Sequence, residues 1–386
     1  MDRRMINMTS KERVQRALNH QEVDRVPIDL GGTASCILDD AYLRLKEYLG
    51  LTGEPEIFRR GSNTSYYDEE LLDYFEIDIR RVFAKVKEKY PIINEDGSFT
   101  NEWGIVQKKG QFGVEMVKNP LAKAKIEDLE AFPWPKPELT LERGEMKERA
   151  QKIYQEGKYA LALRAPCNGI FEISCWLRGT ENFMMDMLCD EEFAHALTEK
   201  VLETQIAWYN YLLEEIGEYV DIVETSDDYG SQNSLLLSPE CLDSFILNRR
   251  KRLNDAINKK APNAKIFLHC CGSIARVVDA LLESGVDILN PVQTCAKDMD
   301  PYMLKREFGD KITFHGGIDT QKSMRGNKEM VEQEVAHMLD AMKGNGGYIL
   351  ASCNHIQDDV PLENIVAMFE TAKRLSVNPD FEESGE

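Results

Sequence analysis

One histidine and two cysteines end an apolar stretch in the middle of the chain, "KIFLHCCGSI" at 265–274. His269 and Cys271 are two positions apart, and at the end of a β-strand this spacing places both side chains on the same side. Cys270 then points the other way. Imidazole and thiolate are ligands that zinc prefers, and one more soft ligand from elsewhere would leave a position open for a substrate. The stretch therefore predicts part of a catalytic zinc site.

The elements that must position these ligands are eight short apolar runs, most of them followed by an amphipathic helical pattern. The runs lie at 25–32, 77–84, 159–165, 220–226, 265–270, 286–292, 311–317 and 347–353. A strand and a helix repeated eight times predict an α/β fold, a (β/α)8 TIM barrel. Active sites of such barrels lie at the C-terminal ends of the strands, so polar residues at the ends of these runs are the candidates for chemistry.

Cys353 ends the eighth run, and a closed barrel brings that strand end back to the mouth that holds His269 and Cys271. We predict these three residues as the zinc ligands, because three protein ligands and one open position make a catalytic zinc site. Taken singly, either cysteine is better explained as a small buried hydrophobic residue. The prediction therefore depends on the barrel.

Three acids follow the fourth run within five positions, namely Glu224, Asp227 and Asp228. Acids this close raise one another's pKa when they are buried, which suits proton donation to a leaving alkoxide, so we predict them as catalytic. The alternative is an acidic turn at the start of a helix. Asp228 could also complete the zinc sphere.

Two other run ends carry candidates. His315, at the end of the seventh run, is predicted as catalytic, with a packed core histidine as the alternative. Asn290 and Gln293, at the end of the sixth run, are predicted to bind a cofactor.

A β-rich insertion at about 85–138 interrupts the repeat between the second and third runs. Asp96-Gly97 and Lys109-Gly110 are turn signals flanked by alternating residues, which predict a β-hairpin or a small meander. About 50 residues are few for an independent core. We therefore expect one domain over 1–386, with a helical extension at the N-terminus and the insertion as a lid or partner surface.

The composition excludes several classes of function. The 386 residues carry a formal net charge of −20, from 67 acidic and 47 basic residues, which argues against nucleic acid as a partner. We find no apolar signal segment and no run of about 18 apolar residues, so neither secretion nor a membrane location is indicated. Nine cysteines without a secretory signal should be thiols. We expect a cytoplasmic enzyme.

Several stretches together resemble the uroporphyrinogen decarboxylase superfamily. They are "SKERVQRALNHQEVDRVPIDLGG", "FLHCCGSI" followed by "GVDILNPVQ", "ITFHGGIDTQ", and "GGYILASCNHIQDDVPLENIVAMFE". The resemblance covers nearly the whole chain apart from the insertion and the acidic tail. Members of this superfamily have a (β/α)8 barrel, which agrees with the number of runs, and they include decarboxylases and zinc- and corrinoid-dependent methyltransferases.

The resemblance also separates these two branches. Decarboxylases carry an arginine-rich stretch of the type R-Q-A-G-R after "DRVP", and here that place reads "IDLGGTASC", without an arginine to hold several carboxylates. The methyltransferase branch carries H-x-C and a distant Cys as zinc ligands, a pattern that falls on His269, Cys271 and Cys353. One departure is that Asn354 and His355 follow the last cysteine where several relatives have glycine, so His355 could compete as a ligand.

The resemblance implies methyl transfer between a small substrate and a cobamide. Because no D-x-H-x-x-G motif occurs, the cobamide should be carried by a separate corrinoid protein. The small-molecule methyl donor or acceptor stays open between methoxylated aromatics, methylamines, thiols and folate. Two alternatives remain, a non-catalytic corrinoid- or tetrapyrrole-binding member, and a decarboxylase of another anion that would use Arg164 and Arg178.

Overall fold

Seven parallel strands form one curled sheet in chain order in the computed structural model, which describes residues 8–59, 62–110, 113–379 and 381. We number these strands β1 to β7. They are Ile79–Val82, Ala160–Leu163, Ile222–Ser226, Lys265–His269, Ile288–Asn290, Thr313–Ile318 and Tyr348–Ser352. Each lies within or overlaps one predicted run, from the second run to the eighth.

The extended segment 26–30 lies between β1 and β7 and closes the barrel. Ile28 forms a parallel bridge with Leu350 of β7, and the Asp29 amide donates to the Leu350 carbonyl at 2.9 Å. On the other side, the Asp78 amide donates to the Ile28 carbonyl at 3.0 Å. Pro27 has no amide to donate, which limits the ladder that this segment can form. The predicted (β/α)8 TIM barrel is confirmed, with its first strand reduced to a bridge.

Helices lie outside the sheet and return the chain between parallel strands. The α-helices of the described residues are Ser10–Leu18, Asp39–Leu49, Glu69–Tyr74, Ile126–Ala131, Pro137–Thr140, Met146–Glu156, Ile170–Arg178, Thr180–Cys189, Glu191–Ile216, Pro239–Leu242, Asn248–Lys260, Val278–Glu283, Pro301–Phe308, Lys328–Met342 and Leu362–Leu375. A π-turn at Asp243–Leu247 and a 3-10 turn at Ala275–Val277 extend two of them. No helix in the described ranges has the length and apolarity that crossing a membrane requires.

The lower half of the barrel interior is apolar. Every second residue of a barrel strand points inward. Near the N-terminal strand ends these inward residues are Ile79, Ala160, Ala162, Ile222, Phe267, Ile288 and Ile349. Val14 and Leu18 of the N-terminal helix pack against them. The predicted helical extension therefore closes the bottom of the barrel.

A buried ion network fixes this helix to the barrel. The carboxylate of Asp78, which is fully buried, contacts Arg13 at 2.7 Å and Arg25 at 2.7 Å, and it accepts the amide of Ile28 at 2.8 Å. Arg13 also contacts Asp24 at 2.6 Å. These charges are removed from water, so each depends on its partners for stability.

Two short antiparallel strands, Lys85–Val86 and Leu141–Glu142, pair where the insertion begins and ends. Its four-stranded antiparallel sheet is made of Ile92–Ile93, Phe99–Thr100, Val106–Gly110 and Gly113–Lys118. The turn predicted at Asp96-Gly97 is present, with Gly97 at φ 78°. The turn predicted at Lys109-Gly110 was wrong, because both residues belong to the strand Val106–Gly110, in which Gly110 pairs with Gly113.

A cavity of about 1180 Å³ lies between this insertion and the barrel mouth. Its walls include Val82 and Arg164 from the strand ends and Phe99 and Met116 from the inserted sheet. The insertion thus covers part of the face where barrel enzymes hold their substrates.

Candidate metal centre

The upper half of the barrel interior is polar. Two residues beyond four of these apolar positions, the strands carry Arg81, Glu224, His269 and Asn290, and the closing segment carries Asp29. All five are buried. Polar side chains from separate strands therefore meet at the C-terminal end of the barrel.

Three side chains bring possible metal ligands together. One ligand atom each from Asp228, His269 and Cys271 lies within 4.8 Å of the other two. The Cys271 sulfur is 3.2 Å from His269 Nε2, and Asp228 Oδ1 is 3.7 Å from the same nitrogen. Asp228 Oδ1 also accepts the Cys271 amide at 2.7 Å. Nitrogen, sulfur and carboxylate oxygen at this spacing can surround one ion.

Two glycines determine where Cys271 lies. Gly272 has φ 92°, and a Cβ there would lie 2.5 Å from the backbone of Gly230 in the loop after β3. A Cβ on Gly230 would lie 2.6 Å from the Cys271 carbonyl oxygen. The two loops therefore pack backbone against backbone, which brings Asp228 to the Cys271 amide. The neighbouring Cys270 points into the core, where its sulfur accepts the Tyr229 amide at 3.4 Å.

A directed chain of hydrogen bonds orients His269. Asp29 can only accept, so His315 donates to it from Nε2 at 2.9 Å. The neutral His315 ring then accepts at Nδ1 from the Asn290 amide group at 2.8 Å. The oxygen of that amide accepts His269 Nδ1–H at 2.6 Å. The His269 Nε2 lone pair is left facing Cys271 and Asp228, as a metal ligand requires.

Arg81 anchors the far end of this chain. Its guanidinium contacts Asp29 at 2.6 and 2.9 Å and Glu224 at 2.8 Å. Burial acts to raise the pKa of Asp29, but Arg81 and His315 hold it below its usual range. The second Glu224 oxygen accepts from Thr33 at 2.5 and 2.9 Å. Glu224, predicted as catalytic, thus holds the loop after the closing segment.

The predicted ligand Cys353 and the possible competitor His355 lie outside the group of three. The sulfur of Cys353 is 3.6 Å from the Thr320 hydroxyl, and burial raises the pKa of its thiol. The Nδ1 of His355 accepts the Cys36 amide at 3.1 Å, so the proton of its neutral ring is on Nε2. His355 therefore presents a donor. Asn354, between them, donates to the Cys271 sulfur at 3.5 Å.

Asp227 and Gln293 mainly hold backbone. Asp227 accepts the amides of Phe171 and Glu172 at the start of helix Ile170–Arg178, at 3.1 and 3.0 Å, and it is fully buried. The Oε1 of Gln293 accepts the Gly272 amide at 2.8 Å. Both side chains thus shape the loops around the group of three.

Glu172 was missed by the sequence reasoning. It sits in the first turn of helix Ile170–Arg178, where its carboxylate accepts the Asn168 amide group at 3.2 and 3.3 Å. Burial, and then the charges of Asp228 and Asp227, raise the pKa of Glu172 to about 8. Nothing in "NGIFEIS" separates this acid from a helix-start residue, so only the fold could identify it.

The charges at the site suit a divalent cation. Burial, and then the carboxylates of Asp228 and Glu172, raise the pKa of the Cys271 thiol well above its usual range. Asp29 and Glu224 share Arg81, whereas no lysine or arginine of the described residues lies within 4.0 Å of Asp228. A zinc ion fits this donor set, because it would neutralise the thiolate and the carboxylate that the protein leaves without a cation.

The uroporphyrinogen decarboxylase (URO-D) family model matches residues 111–375, which include the three clustered residues and most of the barrel. The chain belongs to the uroporphyrinogen decarboxylase family. The resemblance noted in the sequence is thereby confirmed at the level of the family.

Relatives of this uroporphyrinogen decarboxylase family member are distant. The uroporphyrinogen decarboxylase of Trichodesmium erythraeum is 24% identical over 368 residues, covering 94% of this chain and 95% of the relative. That of a Nostoc strain is 26% identical over 190 residues, about half of each protein. Among solved structures, a methyltransferase from Methanosarcina mazei matches with a TM-score of 0.67 at 16% identity, over 95% of this chain and 99% of that one. At that identity the match supports the fold.

Proposed function

We propose that this chain is a zinc-dependent methyltransferase that moves a methyl group between a small substrate and a cobamide carried by a corrinoid protein. The observation that supports it most is the group of Asp228, His269 and Cys271, with ligand atoms within 4.8 Å, at the C-terminal ends of β3 and β4. Thiolate with imidazole favours zinc over the harder cations. Zinc has no redox chemistry, so it suits a reaction in which the methyl group moves as a cation equivalent and the metal does not change its oxidation state.

The residues take distinct roles in this proposal. His269 and Cys271 hold the ion, with Asp228 or Cys353 as the third ligand. A bound zinc ion supplies Lewis acidity, which lowers the pKa of a thiol acceptor or polarises an ether oxygen. Glu172, whose pKa is raised to about 8, holds a proton at neutral pH and donates it to a leaving oxygen.

The positioning residues complete the assignment. Asn290 and His315 keep the His269 lone pair directed at the ion, which gives both a role other than cofactor binding or proton transfer. Asp227 holds the helix that presents Glu172. The corrinoid protein would approach the open side of the barrel mouth.

A decarboxylase with another anionic substrate receives less support. It would need Arg164 and Arg178 together, but Arg178 contacts Asp186 at 2.7 Å and two backbone carbonyls at 2.9 Å. That guanidinium serves to join the helix to the end of the insertion. We therefore favour methyl transfer.

Metal analysis of single variants tests the zinc site. We expect one zinc ion per chain, lost in Cys271→Ala and retained in Cys270→Ala. Cys270 is the matched control because it is the neighbouring cysteine and its side chain points into the core. Zinc lost in Cys353→Ala but retained in Asp228→Asn would make Cys353 the third ligand, and the reverse would make Asp228 that ligand. Equal zinc in wild type and Cys271→Ala would refute the site.

Methyl transfer is tested by the absorbance of cobalamin. The protein is incubated with cob(I)alamin and methoxylated aromatic or methylamine donors, and separately with methylcobalamin and thiol or folate acceptors. We expect a change in the cobalt spectrum in one set that requires zinc. Full zinc occupancy with no change in either set would favour the non-catalytic alternative.

A further inference from the structure

The inner wall of the cavity beneath the insertion carries two guanidinium groups. Arg59 and Arg164 both line it, and within the described residues neither forms an ion pair with a carboxylate within 4.0 Å. Arg164 is buried and donates from one nitrogen to the carbonyls of Gly31 and Gly32 at 2.8 and 3.0 Å. Its other nitrogen reaches the Thr33 carbonyl only at 3.5 Å. Arg164 therefore keeps donor capacity toward the cavity.

The acids that line the same cavity do not neutralise these two arginines. At the outer wall Glu56 contacts Arg149 at 2.6 Å and Lys85 at 2.8 Å, and Glu69 contacts Arg149 at 2.7 Å. These four groups pair with one another. The cavity is also lined by Glu88, Glu142, Glu145 and Glu148, and within the described residues no acid lies within ion-pair distance, 4.0 Å, of Arg59 or Arg164.

One acid does face Arg59. Glu102 lines the cavity and attracts the Arg59 charge, but burial raises the pKa of Glu102 and so favours its neutral form. Arg59 is exposed at the cavity surface, and loss of solvation there, followed by the charge of Arg164, lowers the pKa of its guanidinium. A ligand anion between the two guanidinium groups would relieve this repulsion.

Aromatic rings line the cavity beside Arg164. The guanidinium of Arg164 lies 4.4 Å from the ring centre of Phe58, and the Phe58 and Phe83 rings are 5.1 Å apart. Both rings line the cavity, as does Trp176. Rings and guanidinium planes together form a surface that suits a flat, apolar ligand with an anionic end.

This inner wall adjoins the metal centre. Asn168 lines the cavity and donates to Glu172, whose pKa responds to the charge of Asp228. On the other side, His355 has a pKa lowered to about 3, by burial and then by Arg164 and His269. Asn168 and Glu172 therefore connect this wall of the cavity to the group of three.

We infer that this inner wall binds the carboxylate of an aromatic acid and so selects anionic aromatic methyl ethers as substrates. The choice of substrate class rests on the proposed methyl transfer, but the binding does not. Within the open set of donors, the inference excludes methylamines, because their cationic nitrogen would meet two guanidinium groups.

Binding is tested with three probes of the same ring, 4-methoxybenzoate, 4-methoxybenzyl alcohol and 4-methoxybenzylamine, by calorimetry and by the fluorescence of the tryptophans. We expect the benzoate to bind and the amine not to bind. Arg59→Gln should weaken benzoate binding by about 10- to 100-fold, because a charge-assisted hydrogen bond is lost. Binding of the neutral alcohol should change little in that variant.

Arg143→Gln is the matched control. Arg143 lines the same cavity but contacts Glu215 at 3.2 Å and the Tyr211 carbonyl at 3.0 Å, so its loss should leave benzoate binding within about twofold of wild type. Equal affinity for benzoate and amine, or equal weakening by both substitutions, would overturn the inference. Benzoate binding without methyl transfer would sustain the site and refute the proposed function instead.

Discussion

Replacing Asn290 with leucine tests whether the chain of hydrogen bonds behind His269 controls the metal site. Leucine has the same branched arrangement of side-chain heavy atoms as asparagine, although its methyl groups are bulkier, and it neither accepts from His269 nor donates to His315. The bonds that disappear measure 2.6 and 2.8 Å, and both partners are buried. The His269 ring then loses the contact that fixes its proton on Nδ1 and its lone pair toward the ligand group.

The magnitude follows from these contacts. Loss of a buried partner that orients a metal-binding histidine costs about 10- to 100-fold in metal affinity. That corresponds to about 1.4–2.8 kcal/mol. Stability should fall as well, because two buried ring nitrogens lose their partners at about 1–3 kcal/mol each. Asn290→Asp should retain zinc, because a carboxylate still accepts from His269 Nδ1.

The assay is competition for zinc against a chromophoric chelator, with thermal unfolding measured in parallel. Asn254→Leu is the matched control, since Asn254 is fully buried and donates to the Ser284 carbonyl at 2.9 Å, away from the metal centre. That variant should lose stability without losing zinc affinity. If folded Asn290→Leu binds zinc as tightly as wild type, the orienting role of the chain is wrong.

Three further predictions concern the barrel and the site. Asp78→Asn removes the carboxylate shared by Arg13 and Arg25 and should lower the free energy of unfolding by about 3–5 kcal/mol, measured in urea; a loss below 1 kcal/mol would contradict a buried network. In metal-free protein the raised pKa of Glu172 means that folding favours its neutral form, so stability should fall as pH rises from about 4.5 through about 8. Thermal melts at pH 5, 7 and 9 should show that Glu172→Gln removes this loss. If the stability of wild type and of the variant changed with pH in the same way, the prediction would be wrong. Gly272→Ala should lower the free energy of unfolding by about 1–3 kcal/mol, because residue 272 has a positive φ, and it should also reduce the zinc content. Unaltered zinc in the folded variant would show that this turn does not determine the position of Cys271.

The barrel strands were predictable because each is a short apolar run with a defined end. All seven strands of the sheet fall on predicted runs. The first run was predicted as a strand equal to the others, but it forms only isolated bridges, at Arg25 with Val377 and at Ile28 with Leu350. Local composition cannot show this, because the number of ladder bonds depends on how β1 and β7 flank the segment.

The types of residue at the site could be predicted from the sequence more fully than the contacts between them. The spacing of His269 and Cys271 correctly predicted that they share a side, since their ligand atoms lie 3.2 Å apart. That Asp228 is the third member of this group, while Cys353 contacts Thr320, depends on loop packing at Gly230 and Gly272. Such packing has no local signature in the sequence, so the roles of Cys353 and Asp228 stay predictions for metal analysis.

The sequence contains a pattern that predicts the buried position of Arg81, although the prediction of the site did not use it. Several strands repeat an apolar residue and, two positions later, a polar one, as in Ile79 with Arg81 and Ile222 with Glu224. Because alternate residues face the barrel interior, this repeat places one polar layer above one apolar layer. A buried arginine in that layer must meet acids from neighbouring strands, and it meets Asp29 and Glu224.

The charge balance of this polar layer supports the proposed metal position at Cys271. Arg81 compensates the acids at one side, and Arg250, fully buried, lies 3.4 Å from Asp227 at the other. Asp228 and Cys271 have no such arginine among the described residues, and burial makes the charged form of the Cys271 thiol costly. Asp228, Cys271 and the nearby Glu172 thus lack a guanidinium or ammonium partner among the described residues, which favours an external cation here. The lone pair that Asn290 directs from His269 faces the same place, so charge and geometry both support the metal position that we propose.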